Sequence, residues 1–302
     1  MAGSCYAFAM SHFPPWIRVR VPADGGAGRS VGDVLSSLRL HTVCQGAHCP
    51  NQAECYGAGT ATFLILGDTC TRRCAFCAVA NGVPSPPDLD EPRRVAEAAA
   101  CLALRHVVVT SVTRDDLPDG GAAVFAATIR ALRSALPAAS IEVLVPDFEG
   151  READVAAVLD AAPGVLNHNV ETVRRLQPVI RPAADYDRSL RVLRIAAHRR
   201  GGPRVKSGMM VGLGERPEEV AATMRDLREA GCEMLTIGQY LAPSPRHAPV
   251  ARFVPPEEFD AFARDARALG FAAVASAPLV RSSYHAGEML LFCSCPAATG
   301  TA

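Results

Sequence analysis

From Thr62 onward the chain alternates between two rhythms of hydrophobic and polar positions. Apolar runs of strand length recur at Thr62–Leu66, His106–Val112, Ser140–Val145, Val165–Asn169, Val205–Val211 and Met234–Tyr240. Between them, apolar residues three and four apart predict helices over Glu91–Leu104, Ala122–Ala135, Glu152–Leu159, Ser189–His198 and Glu218–Ala230. Pro256–Leu269 adds a helix and Phe271–Ala275 one more strand. Residues 1–60 lack this rhythm. Pro14-Pro15, Pro22 and the run Gly25-Gly26-Ala27-Gly28 mark loop, with one short helix predicted near Val31–Leu40.

Strand and helix alternating six times predict right-handed βαβ units around a parallel sheet. An open doubly wound sheet and a barrel both satisfy that pattern. No Gly-x-Gly-x-x-Gly follows the first strand, which weakens a dinucleotide-binding open sheet. Polar clusters fall where the βα loops of a barrel carry chemistry: Cys70–Cys77, Thr113-Arg114-Asp115, Asn167–Glu171 and Gln239 onward. The reading is therefore α/β, a partial (β/α)6 TIM-type barrel over residues 61–276. Irregular extensions flank it at 1–60 and 277–302, the second ending in a flexible tail.

Lys plus Arg equals Asp plus Glu at 31 each, so the chain is not a general nucleic-acid binder, which would carry a basic excess. No apolar run approaches the roughly 18 residues that span a bilayer. Residues 1–10 lack the basic start and apolar core of a signal peptide, and Met10 offers an alternative start. Of 11 cysteines, six crowd between Cys44 and Cys77, which reads as metal binding in a reducing, cytoplasmic compartment. Cys101 and Cys232 read as small buried residues, and Cys293 and Cys295 as part of the tail.

Cys70, Cys74 and Cys77 form C-x3-C-x2-C directly after the first strand. Zinc prefers four ligands, often in paired C-x2-C knuckles, whereas three thiolates on one loop suit three corners of a [4Fe–4S] cube. The fourth iron would stay open to chelate a small molecule. Cys44, Cys49 and Cys55 make a second triad, C-x4-C-x5-C. Alone, it fits a disulfide plus a free thiol, a zinc site completed by His48, or a second cluster.

The first triad, with Phe76 before its last cysteine, resembles the radical S-adenosylmethionine (SAM) superfamily. Both triads together resemble the lipoyl synthase family. Further segments carry the likeness from Pro15-Trp16-Ile17-Arg18 to about Gly287: Cys49-Pro50-Asn51, Val112–Leu117, Asn167–Thr172, Lys206-Ser207-Gly208 with Gly212–Glu215, Gly238–Leu241 and Arg281-Ser282-Ser283-Tyr284. The resemblance implies a barrel of the radical SAM kind and two [4Fe–4S] clusters. Cys70, Cys74 and Cys77 would hold the cluster that binds SAM. The other, auxiliary cluster would take Ser283 as its fourth ligand, with Ser282 the alternative. Ser283 and Arg281 are then the catalytic candidates, and Phe76, Thr113, Arg114, Asn167, Asn169 and Glu171 the contacts to SAM. Arg114 could instead hold the substrate side, and the asparagines could merely cap a helix.

The implied reaction is insertion of two sulfurs at C6 and C8 of an octanoyl group, amide-linked to a lysine of a lipoyl carrier domain. The carriers would be 2-oxoacid dehydrogenase E2 subunits and the glycine cleavage H protein. A ferredoxin- or flavodoxin-type protein would donate electrons, and an iron–sulfur carrier would serve the auxiliary cluster. The rivals are another two-cluster radical SAM enzyme, of methylthio-transferring or dehydrogenating type, and an iron–sulfur electron carrier. Two charge features complete the reading. Lys206 is the one lysine among thirty arginines and begins a buried strand, which predicts a functional or tightly packed pairing. Ten cations against two acids between Arg174 and Lys206 predict a docking face of about +8 for an acidic carrier domain.

Overall fold

The computed structural model describes residues 13–18, 26–57 and 61–294. The Met10 start, Cys5, the turns at Pro22 and Gly25, Cys295 and the tail at 297–302 lie outside the described residues. Seven parallel strands form the centre: β1 (Thr62–Ile65), β2 (His106–Ser111), β3 (Ser140–Leu144), β4 (Val165–Asn167), β5 (Arg204–Val211), β6 (Met234–Gln239) and β7 (Ala273–Ser276). Each pairs with the next in sequence, so every crossover winds the same way and no reversal of strand order occurs. That order belongs to a barrel rather than to a doubly wound sheet. The sheet does not close: His41–Thr42 adds antiparallel to the free edge of β1. The seventh strand completes six βα units.

The helices are α1 (Gly26–Ser37), α2 (Glu91–Cys101), α3 (Ala122–Ala135), α4 (Glu152–Asp160), α5 (Tyr186–Ala197), α6 (Pro217–Glu229), α7 (Pro256–Ala268) and α8 (Ala286–Ser294). Strand alternation sends Val107, Val109, Ile141, Val143, Leu235 and Ile237 outward into one core with Phe125, Ile129 and Leu132 of α3. Each such side chain contributes about 1.5–3 kcal/mol by leaving water. The opposite alternation carries Thr110, Glu142, Asn167, Lys206 and Thr236, all buried. The inner face of the barrel is therefore polar. Lys206 Nζ lies 2.9 Å from Glu142 Oε1, both side chains wholly buried, as its strand-start position predicts. Helix α8 stops the N-terminal end of the barrel, where Met289 packs on Val165, Met234 and Ala273.

Several details depart from the sequence reading: Cys232 is buried as expected, but Cys101, in the last turn of α2, is exposed, and some boundaries shift. Gly26-Ala27-Gly28 is the first turn of α1 and not loop, because the buried stripe Val31 and Leu35 propagates the helix upstream. Helix α5 starts at Tyr186, three residues early, because Asp185 caps it by accepting from Arg188 N at 2.7 Å. Residues 1–60 hold more than one helix: Thr42 accepts from Gln45 N to start Val43–Gly46, and Gln52–Gly57 follows.

Candidate active site

The segment Leu66–Asn81 leaves β1 through two left-handed residues, Leu66 (φ 68°) and Gly67 (φ 89°), and lies across the C-terminal mouth of the barrel. It is fastened from several sides. Thr71 N donates to Thr113 O (3.1 Å), Ala75 N to Ile180 O (2.9 Å) and Ala248 N to Ala75 O (2.8 Å). The Arg72 guanidinium makes two bidentate pairs, with Asp115 at 2.7 and 2.8 Å and with Asp147 at 2.9 and 2.8 Å. Asp147 is pulled down to about 2 by Arg72 against the opposing effect of burial. His247 bridges Ser244 Oγ (2.9 Å) and Cys77 O (3.1 Å).

On this scaffold Cys70, Cys74 and Cys77 are half-buried free thiols, with Cys70 close enough to oppose the ionisation of Cys74 and of Cys77. Burial pushes Cys77 up to about 12, and it raises Cys74 although Arg181 opposes it. Thiols held neutral by burial give up their protons when a cationic metal centre supplies the missing charge. A cleft of about 480 Å³ opens beside Cys74 and Cys77, edged by Arg73, Arg246 and His247. Phe76 packs with Ile180, Leu213 and Tyr240 as an apolar platform on the same side.

The other predicted contacts separate into two groups. Asn169 and Glu171 stand together beyond β4: Asn169 Nδ2 donates to Glu171 Oε1 at 3.1 Å, and Asn169 Oδ1 is buried with no partner. Burial raises the Glu171 carboxyl despite Arg181. Arg181, which sequence reasoning missed, is buried between this pair and Cys74, donating to Asn169 O at 3.1 Å. Thr113, Arg114 and Asn167 are placed differently. Thr113 acts through its carbonyl on Thr71, and Arg114 is buried against Asp116 and Leu66 O, so both brace the loop. Asn167 Nδ2 turns to Glu142 Oε1 at 3.3 Å inside the barrel.

The second triad forms its own place. Cys44, Cys49, Cys55, Asn51, Thr62, Arg281, Ser283 and Tyr284 line one small cavity on the edge of the barrel. The three thiols are free, so the disulfide alternative fails, and exposed His48 is not part of the lining. Among the described residues no three Cys, His, Asp or Glu side chains gather tightly enough for a single ion; these thiols ring a space instead. Burial pushes Cys55 up to about 12, and Cys44 and Cys49 add to it. The C-terminal strap that brings Ser283 is anchored by Asn51 Nδ2 on Leu279 O (2.7 Å), Gln239 N on Pro278 O (3.1 Å) and Tyr284 OH on Glu54 Oε1 (2.9 Å). The Arg281 guanidinium bonds only to Val280 O at 2.7 Å and has no carboxylate partner among the described residues. Burial lowers its pKa, opposed by Cys49. Three thiols, a hydroxyl and an unpaired guanidinium fit an anionic thiolate-ligated cluster.

Of the ten cations from Arg174 to Lys206, most are occupied. Arg174 pairs with Asp187, Arg175 with Glu219, Arg188 with Asp147, Arg199 with Asp160, Arg204 with Glu233 and Lys206 with Glu142, while Arg181 is buried. The +8 face expected from sequence is therefore largely neutralised by acids from other elements.

Known proteins resemble this chain over most of its length. Residues 64–227 match the model of the radical SAM superfamily. A lipoyl synthase of Methylococcus capsulatus is 60% identical over 277 residues, covering 91% of this chain and 85% of that one. A lipoyl synthase of Nitratidesulfovibrio vulgaris is 57% identical over 273 residues, with 90% and 91% covered. Among solved structures, HydG, a maturase of the [FeFe]-hydrogenase, superposes with a TM-score of 0.56 at 14% identity over 90% of this chain and 67% of that one, which shows the fold alone. No helix among the described residues is long and apolar enough to cross a membrane. With both triads, the Arg281–Tyr284 strap and an identity this high along nine-tenths of its length, the chain belongs to the lipoyl synthase family of radical SAM enzymes.

Proposed function

We propose that the chain inserts two sulfur atoms, at C6 and C8, into an octanoyl group amide-linked to a lysine of a lipoyl carrier domain. The observation that supports this is the cavity shared by Cys44, Cys49, Cys55 and Ser283, separate from the Cys70–Cys77 loop. Cys70, Cys74 and Cys77 would hold the cluster that binds SAM, and the cavity residues the auxiliary one. Bound there, SAM and the two [4Fe–4S] clusters would supply a 5′-deoxyadenosyl radical and the sulfides that are transferred.

The chain's own residues would position and enclose. Phe76 and its apolar neighbours offer a face for adenine, and Asn169 with Glu171 offers acceptors for the ribose hydroxyls. Arg72, His247 and Arg114 fix the loop that carries the first triad. Ser283 gives a hard oxygen ligand that protonation releases, and Arg281 balances the negative charge of the thiolates beside it. The acyl chain would enter between the two places, from a 2-oxoacid dehydrogenase E2 subunit or the glycine cleavage H protein. A ferredoxin- or flavodoxin-type protein would supply electrons, and an iron–sulfur carrier would replenish the auxiliary site.

The test is anaerobic reconstitution with iron and sulfide, then SAM, reductant and an octanoyl-lysine peptide. Mass spectrometry is expected to show two sulfurs added to the peptide, with methionine and 5′-deoxyadenosine released. Release of 5′-deoxyadenosine with an unmodified peptide would overturn the assignment of substrate.

A further inference from the structure

Asn169 joins the two places. Its Nδ2 donates to Glu171 Oε1 at 3.1 Å and also to Ser282 Oγ at 3.2 Å, across 113 residues of sequence. Ser282 is not among the residues lining the auxiliary cavity, whereas its neighbour Ser283 is. A path of three side chains, Glu171–Asn169–Ser282, thus runs from the carboxylate beside Cys74 to the strap that presents Ser283.

Two glycines make room for this meeting. A Cβ on Gly208 would lie 2.8 Å from Asn169 Oδ1, and one on Gly238 would lie 2.1 Å from Val280 O. Side chains at either position would push the amide or the strap away. Leu279 and Tyr284 secure the strap on either side through Asn51 and Glu54. The side chain of Ser282, between them, is held by Asn169. The Asn169 amide has its donors engaged on both sides, while Oδ1 is buried against Gly208 with no hydrogen-bond partner among the described residues, so the amide has little freedom to turn elsewhere.

We infer that Ser282 is a positioning residue that couples occupancy of the SAM site to the placement of Ser283. The inference rests on Glu171 being a contact to SAM, with Asn169 acting behind it. A ribose hydroxyl donating to the half-buried Glu171 carboxylate would fix the acceptor to which Asn169 Nδ2 donates, and with it the amide plane. The fixed amide holds Ser282 Oγ, and Ser282 sets the backbone from which Ser283 projects. Ser282 is thereby distinguished from a cluster ligand: it acts through its neighbour and through Asn169.

The test compares Ser282→Ala, Ser282→Thr and Ser283→Ala as reconstituted holoenzymes. Iron and sulfide analysis with Mössbauer spectroscopy is expected to find both clusters retained in Ser282→Ala. Adding SAM should perturb the auxiliary-cluster spectrum of the wild type and leave that of Ser282→Ala unchanged. The ratio of 5′-deoxyadenosine released to sulfur inserted should rise about three- to tenfold in Ser282→Ala, as loss of one neutral hydrogen bond gives. Ser282→Thr, which keeps the hydroxyl, should return the ratio to the wild-type value. An unchanged ratio in Ser282→Ala, or an auxiliary cluster lost there but kept in Ser283→Ala, would overturn the inference. The underlying reading fails separately: a Glu171→Gln holoenzyme that binds SAM as tightly as wild type would remove the SAM contact itself.

Discussion

The two cysteine triads sit fifteen residues apart in sequence and are held by opposite means. The Cys70–Cys77 loop is locked into the barrel by charge: Arg72 spans Asp115 and Asp147, which follow β2 and β3, with its side chain 5% exposed and that of Asp147 fully buried. Backbone bonds from Ile180, Ala248 and Thr113 fix the same loop. The Cys44–Cys55 segment lies outside the barrel on two short helices and meets its serine through a strap from the other end of the chain. Its ties are isolated part-buried hydrogen bonds without a bidentate ion pair, such as Asn51 Nδ2 to Leu279 O and Tyr284 OH to the Glu54 carboxylate. A centre that must act repeatedly is well served by the first construction. On the proposed function the other centre would be consumed in turnover and would have to be opened and refilled, which the second construction would permit with little of the fold disturbed.

The largest expected effect separates the two roles outright. Replacing Cys70, Cys74 and Cys77 with Ala should leave one cluster per chain and abolish SAM cleavage. Replacing Cys44, Cys49 and Cys55 should also leave one, yet permit 5′-deoxyadenosine to form without sulfur insertion. Ser283→Cys should bind the auxiliary cluster more firmly and transfer sulfur poorly, since a thiolate holds iron more tightly than a protonatable alkoxide. Iron analysis with product mass spectrometry reads all three. Sulfur insertion by the second triple variant would erase the distinction between the triads.

The next effect concerns how each segment is fastened. Arg72→Met strands the buried carboxylate of Asp147, so it should cost about 3–5 kcal/mol in denaturant unfolding, as breaking a buried pair does. Tyr284→Phe removes one part-buried hydrogen bond and should cost about 1 kcal/mol. Equal losses in the two variants would show that the segments are held alike.

Acid should sharpen the same contrast. His168, just past the end of β4, is wholly enclosed, and its Nδ1 donates to Val145 O, 2.8 Å away. Burial and Arg181 depress it to about 4, so it is neutral in the folded chain and protonates more readily when unfolded. Stability is then lost as pH falls from about 6.5 toward 4, by about 2 kcal/mol between pH 7 and pH 5. Asp147, held near 2, adds a further loss only below its ordinary value near 3.8. Unfolding of His168→Gln measured at pH 7 and pH 5 should lack most of the first loss. A wild-type stability that stays flat over that interval would refute the enclosed neutral imidazole.

Much of this was legible in the sequence, for unequal reasons. Alternating apolar runs placed six strands within a residue or two, because burial against helices imposes that alternation. The strand ends fell short where Leu66 turns left-handed and where Asn167 gives way to His168. The cysteine triads announced metal by spacing, but Ser283 could be joined to Cys44 only through family resemblance. Arg72, Arg181 and His247 were missed because their partners lie 43, 12 and 170 residues away and nothing periodic links them. Lys206 could be singled out as the one lysine, and Glu142, a carboxylate in the middle of the run Ser140–Val145, was the matching signal. The ten cations misled in the other direction. Counting charge along one stretch cannot see Glu219, Asp160 or Glu233 arriving from elsewhere.

That last correction narrows what carrier docking can draw from this face, and it sets the smallest expected effect. Of the ten cations, exposed Arg191, Arg194 and Arg200 remain outside any ion pair among the described residues, and Arg194 still feels Asp187. Arg191 and Arg200 are therefore the two whose charge an acidic carrier domain could meet without first displacing an internal acid. Reversing Arg188, by contrast, would disturb Asp147 at 3.5 Å and with it the Arg72 lock, confusing docking with stability. Arg191→Glu with Arg200→Glu leaves the lock alone. Exposed charges are each worth about 0–1 kcal/mol, so the apparent KM for an intact carrier domain should rise by no more than about five- to tenfold at low salt. The rise should shrink as the Debye length falls to about 8 Å at physiological ionic strength. A short octanoyl-lysine peptide, which reaches the barrel mouth without touching α5, should keep its KM. Equal changes for peptide and domain, or a domain effect indifferent to salt, would remove this face from docking altogether.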